Sequence, residues 1–427
     1  MSADRLKNTG SKDDKGLCAK CGTCNTVCPT YKATGNEIFS PRGKQHLRSK
    51  VEKDAVSGHY ADIFSRCLLC GACLDACPRG LDTPELVIRV RSELPRLSGL
   101  SFLKYVSRKA LVHPALLANL SRIGTAANTL LGEWLPQDSG LRLRLQGFAR
   151  QAFKLPQTGY IEKLKTEPPY GEKQQPGSPA EEMNFFTGCL ANHLQPEIAE
   201  STQQLLIKST GRKGCVPLEQ TCCGMAALAA GRIGEAQELA KKNIAAFEEN
   251  DYPILASCSS CYYQLKSYKE MFAGHQEWRQ RAERFAERVE EFSTYFLQKL
   301  SLSRNLLQTA AGGPDKSVFY HDPCHLRFKL HITEEPRKLI RLLPGVSLEE
   351  LPNGSQCCGH GGLFQVAHPD LAQRVQAKLM GNFAPLPGQT VLTACSGCLL
   401  QWQHGLASND GGARAEHLAV FIGRLLQ

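Results

Sequence analysis

The stretch Gln356-Cys357-Cys358-Gly359-His360 decides the fold, because two adjacent cysteines precede a glycine there. Adjacent side chains diverge from one backbone, so both thiols can reach one bound object only if that object is large. Gly359 has no side chain and lets the backbone approach such an object closely. A polynuclear metal cluster meets these requirements, whereas a disulfide or an ordinary apolar core does not.

The same pattern occurs at Thr221-Cys222-Cys223-Gly224, and the cysteines around it are repeated as well. Cys189 lies 33 residues before Cys222, and Cys324 lies 33 residues before Cys357. A Cys-x-x-Cys pair follows each Cys-Cys-Gly unit. The two sets are Cys189, Cys222, Cys223, Cys258 and Cys261, and Cys324, Cys357, Cys358, Cys395 and Cys398. Self-similarity at an offset of about 135 residues predicts a duplicated structural unit.

Near the start of the chain, the spacing C-x2-C-x2-C-x3-C-P occurs twice, at 18–29 and at 67–78. In two-cluster ferredoxins the first three cysteines of such a run hold one cubane, and the fourth serves the other. The predicted ligand sets are therefore crossed: Cys18, Cys21, Cys24 and Cys77 for one [4Fe–4S] cubane, and Cys67, Cys70, Cys73 and Cys28 for the other. Two structural zinc sites are the alternative, but zinc sites rarely place three cysteines so close together before a Cys-Pro.

The chain has 427 residues, enough for two or three domains, and 19 cysteines. So many cysteines indicate disulfides in a short secreted protein, but in a long chain with Cys-x-x-Cys runs they indicate metal binding in a reducing compartment. The polar start and the absence of a long apolar run predict neither a signal peptide nor a membrane span. The expected location is the cytoplasm, either in solution or peripheral at the inner face of the cell membrane.

The net charge of +10 is unevenly placed, because residues 89–165 carry thirteen Lys and Arg against four Asp and Glu. This basic segment is interpreted either as a solvated helical face or as a docking surface for an acidic partner or an anionic membrane. Nucleic acid is not an expected partner, since no recognised binding motif or aromatic interleaving accompanies the charge.

The predicted fold class is α/β, with an N-terminal helical ferredoxin domain for two [4Fe–4S] clusters and duplicated α/β Cys-Cys-Gly domains. The ferredoxin-like domain spans 1–95, a helical basic segment and linker span 96–182, and the Cys-Cys-Gly domains span 183–312 and 313–427. Helices are predicted at 43–56, 84–94, 102–111 and 114–131. The stretch 156–182 is rich in Pro, Gly, Gln and Lys, which is typical of a linker.

Both Cys-Cys-Gly domains alternate short strands with helices. Strands are predicted at 184–187, 253–256, 317–321 and 391–394, and helices at 196–209, 234–249, 334–343 and 369–383. Such alternation implies parallel α/β layers with functional loops at the carboxyl ends of the strands. The ten cysteines then fall at strand ends, in loops and at helix starts, where the partial positive charge of a helix N-terminus stabilises thiolates.

Five thiolates at one site exceed what a zinc ion or a plain cubane needs, so an unusual iron–sulfur cluster is expected in each repeat. A thioredoxin-like dithiol is the alternative for the pairs Cys258-x-x-Cys261 and Cys395-x-x-Cys398. The repeated coupling of these pairs to Cys-Cys-Gly argues against that alternative.

On these residues the chain resembles the iron–sulfur subunit of bacterial glycolate oxidase and related D-lactate dehydrogenases over almost its whole length. The resemblance rests on 24–31 (CNTVCPTY), 40–44 (SPRGK), 367–372 (AHPDLA) and both Cys-Cys-Gly units. The Cys-Cys-Gly domains also resemble the B subunit of heterodisulfide reductase, which implies a non-cubane [4Fe–4S] cluster for each five-cysteine set. Some glycolate oxidase relatives lack a cysteine of the last pair, whereas Cys395 and Cys398 are both present here.

The sequence contains no flavin- or nicotinamide-binding glycine fingerprint, and 359–362 (GHGG) does not open a dinucleotide-binding unit of the usual pattern. The resemblance implies separate FAD-containing dehydrogenase subunits that oxidise a 2-hydroxy acid, glycolate or D-lactate. This chain would pass their electrons through its clusters to a quinone or another acceptor and would not act on the substrate by itself. The alternatives are a heterodisulfide-reductase-like enzyme that reduces a disulfide at a Cys-Cys-Gly cluster, and the membrane-docking C subunit of anaerobic glycerol-3-phosphate dehydrogenase.

Several residues near the cysteine sets receive an ordinary interpretation. Cys215 has no counterpart in the second repeat and is expected to be a small buried thiol. His193, His321, His325 and His360 are interpreted as surface or packing residues, in preference to groups that contact a cluster or carry protons to a quinone.

Overall fold

The computed structural model describes residues 18–51, 57–94, 158–166, 182–302, 316–352, 354–381, 383, 388–407 and 412–426. The predicted helices at 102–111 and 114–131 lie outside these residues, as does most of the basic segment at 89–165.

The described part of the N-terminal domain is helical, as the sequence predicts. Its helices are Thr23–Val27, Pro29–Thr34, Pro41–Lys50, Gly58–Ser65, Ala72–Asp75 and Thr83–Glu93, with a 3-10 turn at Glu37–Phe39. The helix predicted at 43–56 begins earlier because Ser40 caps it, accepting a hydrogen bond from the Gly43 amide at 2.9 Å. Apolar faces of these helices bury Ile63, Phe64 and Val87 in a small core.

The first repeat has three short parallel strands, β1 (Asn184–Phe186), β2 (Ile254–Ala256) and β3 (Val289–Glu291), in the order β1-β2-β3. Its helices are Cys189–His193, Pro196–Thr210, Met225–Ala229, Ile233–Ala246, Ser259–Lys266, Tyr268–Met271, Gln276–Arg288 and Phe292–Leu302. Every residue of β1 and β2 is buried. Because both faces of such parallel strands are covered by helices, their sequences are runs of apolar residues with no polar alternation.

The second repeat has four parallel strands, β4 (Lys316–Tyr320), β5 (Val346–Glu349), β6 (Thr390–Thr393) and β7 (Arg414–His417), in the order β5-β4-β6-β7. Its helical elements are a π-helical turn His325–Leu330 and the helices Glu334–Arg341, Leu363–Ala367, Pro369–Met380, Ser396–Ala407 and Leu418–Leu425. The α/β class and the duplication predicted from the sequence are confirmed.

The four predicted strands are present, each displaced by no more than one residue at either end. The predictions missed β3, β5 and β7, because these strands lack an apolar run. The sequence of β7 is Arg-Ala-Glu-His, and β5 alternates half-buried and exposed residues. Their pairing depends on neighbours that are distant in sequence, which composition alone does not reveal.

The stretch predicted as a linker at 156–182 contains a helix, Tyr160–Thr166, that belongs to the first repeat. Tyr160 and Ile161 are buried in the core, and the Ile161 amide donates to Asn192 Oδ1 at 2.8 Å. The Pro- and Gly-rich composition concealed these apolar anchors. The other residues of that stretch up to 181, apart from 158 and 159, lie outside the described part of the chain.

Residues from different domains pack together in common apolar cores, and these cores show which domains lie next to each other. One core combines strand residues of both repeats, including Phe185 and Leu392. Another combines the ferredoxin-type domain with the second repeat, through Leu68, Phe364 and Leu371. The ferredoxin-type domain therefore shares a core with the second repeat, and it also packs against Ala229 of the first repeat.

Candidate metal centres

Both ferredoxin-type motifs curl around a cavity with the same local backbone. Lys20 and Gly22 of the first motif have φ of 56° and 83°, and Leu69 and Gly71 of the second have φ of 55° and 85°. Each glycine is the N-cap of the short helix that follows. Glycine adopts a positive φ at little cost, so the chain can turn sharply between the second and third cysteines.

The first cavity is lined by three cysteines of the first motif and the last cysteine of the second: Cys18, Cys21, Cys24 and Cys77. Cys73 also reaches its wall. Burial raises the pKa of Cys24, and the neighbouring Cys18 and Cys77 raise it further. Cys21 is exposed and Cys18 is half-buried, so this set opens to the surface.

The second cavity is lined by Cys28, Cys67, Cys70 and Cys73. Burial raises the pKa of Cys73 well above its ordinary value, and repulsion from the other three thiols adds to the shift. The structure therefore brings together the crossed sets, because the fourth cysteine of each motif lies with the first three of the other.

Lys44 is a buried cation beside the second cavity. Its side chain is 1% exposed, and its ammonium donates to the Phe39 carbonyl. Burial lowers the pKa of Lys44, whereas nearby Cys67 and Cys28 raise it. A buried ammonium needs compensating negative charge, and thiolates that hold an anionic cluster would supply it.

Arg91 is a second cation near the Cys67 set; it is half-buried, burial lowers the pKa of its guanidinium, and nearby Cys67 raises it. Its guanidinium donates to four backbone carbonyls at 2.6–3.0 Å, those of Phe64, Ser65, Cys67 and Ala229. Among the described residues, no ion pair joins Arg91 or Lys44 to a carboxylate. The bond to Ala229 also fastens the ferredoxin-type domain to the first repeat. Sequence analysis missed both cations as site residues, although Lys44 lies in the SPRGK stretch; no sequence signal marks Arg91.

The first repeat gathers its five cysteines at the carboxyl ends of β1 and β2. Cys189 begins a helix, Cys258 is the N-cap of another, and Cys222 and Cys223 precede a third. Hydrogen bonds from Cys189 and Cys223 hold the pKa of Cys222 well below its ordinary value. Interaction with Cys261 and then with Cys395 does the same for Cys258. Interaction with neighbouring thiols and burial raise the pKa of Cys189, Cys223 and Cys261, so only part of the set favours the thiolate, the form that binds metal.

The second repeat repeats this arrangement with Cys324, Cys357, Cys358, Cys395 and Cys398. The Sγ atoms of Cys358 and Cys398 lie 3.4 Å apart, and interaction with Cys357 and then Cys398 lowers the pKa of Cys358. Gly359 has φ of 91°, and a Cβ there would lie 2.7 Å from the Ala372 carbonyl oxygen. Only glycine fits this close approach. All the described cysteines are free thiols, as expected of ligands.

The four cysteine sets lie next to one another in succession through three junctions, the first of which is Cys73, a residue that lines both ferredoxin-type cavities. Interaction with Cys357 is the main cause that raises the pKa of Cys70, which places the second repeat's set against the second cavity. At the far side of that set, Cys395 Sγ lies 4.0 Å from Cys258 Sγ of the first repeat. The order in space is the Cys18 set, the Cys67 set, the second repeat and the first repeat, which differs from the order in sequence.

Three of the four histidines near the sets are more enclosed than a surface residue. Burial lowers the pKa of His321, His325 and His360 to about 4 in each case. His325 Nδ1 lies 3.0 Å from Ser260 Oγ, which in turn lies 3.3 Å from Cys395 Sγ. His325 and Ser260 thus lie beside the contact between Cys395 and Cys258, where the two repeats meet. Sequence analysis missed Ser260.

His193 and Cys215 complete the residues singled out from the sequence. His193 is half-buried, with Nε2 3.0 Å from the Asn192 side-chain amide. The expectation of a buried Cys215 is wrong, because this residue is exposed. Its backbone pairs with the edge of β1 through Phe185 and Met183, so the sheet holds the main chain while the side chain lies at the surface.

Comparison with known families agrees with this architecture. The family described as "4Fe-4S dicluster domain" matches residues 16–81, and the family described as "Cysteine-rich domain" matches 183–266 and 318–403. These matches define an iron–sulfur protein with a ferredoxin-type two-cluster module and a duplicated cysteine-rich domain.

The chain is 30% identical over 422 residues to the probable glycolate oxidase iron-sulfur subunit of Bacillus subtilis (strain 168), covering 95% of this chain and 92% of that protein. It is also 30% identical over 243 residues to lactate utilization protein A of Shouchella clausii (strain KSM-K16), covering 56% of this chain and 98% of that protein. The chain therefore belongs to the glycolate oxidase iron–sulfur subunit family, and the family resemblance drawn from the sequence is confirmed.

In the part of the chain that the structure describes, none of the helices combines the length and the apolar character required to cross a bilayer.

We expect about 16 irons per chain after anaerobic reconstitution, since four sites with four irons each are available. Iron and acid-labile sulfide analysis measures this. A count of about eight would show that the two five-cysteine sites hold no cluster. Stoichiometric zinc in place of iron would contradict the assignment altogether.

Proposed function

We propose that this chain is the iron–sulfur electron-transfer subunit of a flavin-dependent dehydrogenase for a 2-hydroxy acid, glycolate or D-lactate. It relays electrons from an FAD-containing subunit to a quinone or another acceptor. The observation that carries this proposal is the unbroken line of four cysteine sets. The relatives named for glycolate oxidase and lactate utilization support the substrate class.

The proposed ligands follow the two cavities and the two repeats. Cys18, Cys21, Cys24 and Cys77 hold one cubane, and Cys67, Cys70, Cys73 and Cys28 hold the other. Each five-cysteine set holds a further [4Fe–4S] cluster of non-cubane type. Such clusters supply one-electron carriers, which suits a chain placed between a two-electron flavin and its acceptor.

The protein contributes dry surroundings and charge to these carriers. Eight of the ten cysteines in the two five-cysteine sets are buried, and the other two, Cys189 and Cys324, are half-buried against apolar clusters. Lys44 lines the second cavity and Arg91 lies near Cys67 of that set, and their positive charge favours the reduced, more negative state of a cluster there. Reduction at that position is thus eased by groups that do not bind the metal.

A cavity lined by Phe64, Arg91 and Phe364 lies where the domains meet, with a volume of about 70 Å³. Pockets for cofactors and drug-sized ligands usually measure roughly 300–1,000 Å³. This cavity is therefore too small for a flavin.

The isolated chain is expected to leave glycolate and D-lactate unoxidised, because substrate chemistry belongs to the flavoprotein. With the flavoprotein present, substrate should reduce the chain and electrons should reach a quinone analogue. Anaerobic stopped-flow absorbance measures the reduction. Cys215→Ser is the matched control, because this exposed cysteine belongs to none of the four sets, and it should behave as the unchanged chain does.

Oxidation of either acid by the pure chain would contradict the relay proposal. Rapid oxidation of the reduced chain by the disulfide of a small thiol would favour a heterodisulfide-reductase-like activity instead. If the basic segment at 89–165 docks the partner, complex formation should weaken with salt, since exposed charges are screened over about 8–10 Å at physiological ionic strength. Assembly that is insensitive to salt would leave this segment as a solvated face.

A further inference from the structure

His321 occupies a position in the second repeat that its role in packing does not explain. It follows β4, and its backbone amide donates to the Leu392 carbonyl at 2.8 Å. Its side chain is fully buried, yet neither ring nitrogen has a hydrogen-bond partner among the described residues. A buried polar group without a partner is costly, and in a native protein it calls for an explanation, of which a bound ion is one.

The ring of His321 faces thiols of the second five-cysteine set. A ring nitrogen of His321 and the Sγ atoms of Cys358 and Cys398 all lie within 4.8 Å of one another. Trp402 packs edge-on against the same ring, with the two ring centroids 5.5 Å apart. The imidazole therefore contacts an apolar ring as well as lying near the two thiols.

The neighbouring Asp322 does not account for the imidazole. Arg337 binds both oxygens of that carboxylate, at 2.7 and 2.8 Å, and the Ser355 hydroxyl adds a further hydrogen bond. A neutral imidazole has one lone pair and one N–H available, which is the form that contacts metals and their sulfur ligands.

The first repeat has a phenylalanine at the equivalent position. Phe186 and His321 each lie three residues before the first cysteine of their set. Strand register gives the same equivalence, because Phe185 pairs with Leu255 and Tyr320 pairs with Leu392, each three residues before the first cysteine of the Cys-x-x-Cys pair. Phe186 is 1% exposed and packs among the first set's cysteines. At this position the second site therefore carries a nitrogen-bearing side chain that the first lacks.

We propose that His321 directs an imidazole nitrogen onto the metal cluster of the second five-cysteine set, as a sixth contact group that the first set lacks. The inference rests on the proposed function, since it requires a cluster at that set. A neutral nitrogen contact adds no negative charge and stabilises the reduced form, as hydrogen bonds and histidine ligation do at other iron–sulfur sites. The second-repeat cluster thus has the higher reduction potential of the two.

The test uses the full chain, reconstituted anaerobically with iron and sulfide and labelled with ¹⁵N-histidine. Pulsed electron paramagnetic resonance of the reduced protein should show histidine nitrogen coupling on the second-repeat signal and none on the first. His321→Phe, which copies the first repeat, should abolish that coupling. It should also lower the midpoint potential of that signal, with at least a tenfold change in the reduced-to-oxidised ratio, or about 59 mV for one electron.

Phe186→His is the reciprocal variant and should raise the potential of the first-repeat signal. A low iron count together with a missing second-repeat signal would show that the second repeat holds no cluster. That result would overturn the proposed function itself, so it is distinguishable from a failure of this inference. A second-repeat signal without histidine coupling in the unchanged, labelled chain would overturn the role of His321 alone. That measurement needs no variant, so it decides the matter even if His321→Phe does not fold.

Discussion

Replacing Cys324 and Cys357 together by alanine is expected to slow electron exchange between the ferredoxin-type domain and the first repeat by more than one order of magnitude. Cys357 contacts Cys70 on one side, and the second repeat's set contacts Cys258 on the other through Cys395. Loss of the cluster between them removes the intermediate step. Electron tunnelling falls exponentially with distance, so the longer direct jump is slow.

The matched control is the double variant Cys189→Ala and Cys222→Ala, which makes the same change in the first repeat. This set lies at the end of the line, so its loss should leave the other three signals rising together. Rapid-freeze electron paramagnetic resonance after mixing with reduced flavoprotein follows all the signals. Equal effects of the two double variants would contradict the linear order. If the first-repeat variant instead prevented reduction of the second-repeat cluster, the order of the two repeats would be the reverse of the one proposed.

Cys28→Ser is expected to damage the cluster of the Cys67 set and to leave the cluster of the Cys18 set in place. The reason is that Cys28 lines the second cavity, although its own motif lines the first. Cys77→Ser should have the reciprocal effect. Each change removes one of four thiolate ligands, so the expected result is loss of a cluster or its conversion to a three-iron form.

The spectra of the two reduced variants, compared with that of the unchanged chain, measure which signal is lost. The two cavities differ in exposure, because Cys21 is exposed whereas Cys70 and Cys73 are buried. A chelator should therefore remove the Cys18-set cluster faster, which gives an independent label for each signal. Loss of the signal from the mutated motif's own first three cysteines would show that the ligand sets are not crossed.

Local pattern was sufficient for much of this protein. The spacing of the cysteines predicted the four sets. The three-residue strands β1 and β2 were predicted correctly because a parallel strand that is buried on both faces appears in the sequence as a run of consecutive apolar residues. The glycine of each Cys-Cys-Gly unit was also informative, since the close approach at Gly359 admits no side chain. These features depend on neighbours in sequence.

Other features depended on residues far apart in the chain. The strands β3, β5 and β7 carry polar residues and form only because a sheet lies beside them. Arg91 joins carbonyls of the ferredoxin-type domain to that of Ala229, 138 residues away. Cys215 is exposed although its residue type favours burial, because the edge of β1 fixes its backbone.

By itself, the sequence determined the chemistry of this protein: how many thiolates each site offers, and that the second half is a duplication. Only the tertiary structure decided how the sites are connected. The cysteine set of the second repeat, not that of the first, adjoins the cysteines of the ferredoxin-type domain, because Leu68 packs in one apolar core with Phe364 and Leu371 and Cys70 interacts with Cys357. It also set His321 against Cys358 where the first repeat has Phe186. Ligand spacing is a local property of the chain, whereas the order of sites along an electron path depends on which distant surfaces bury each other.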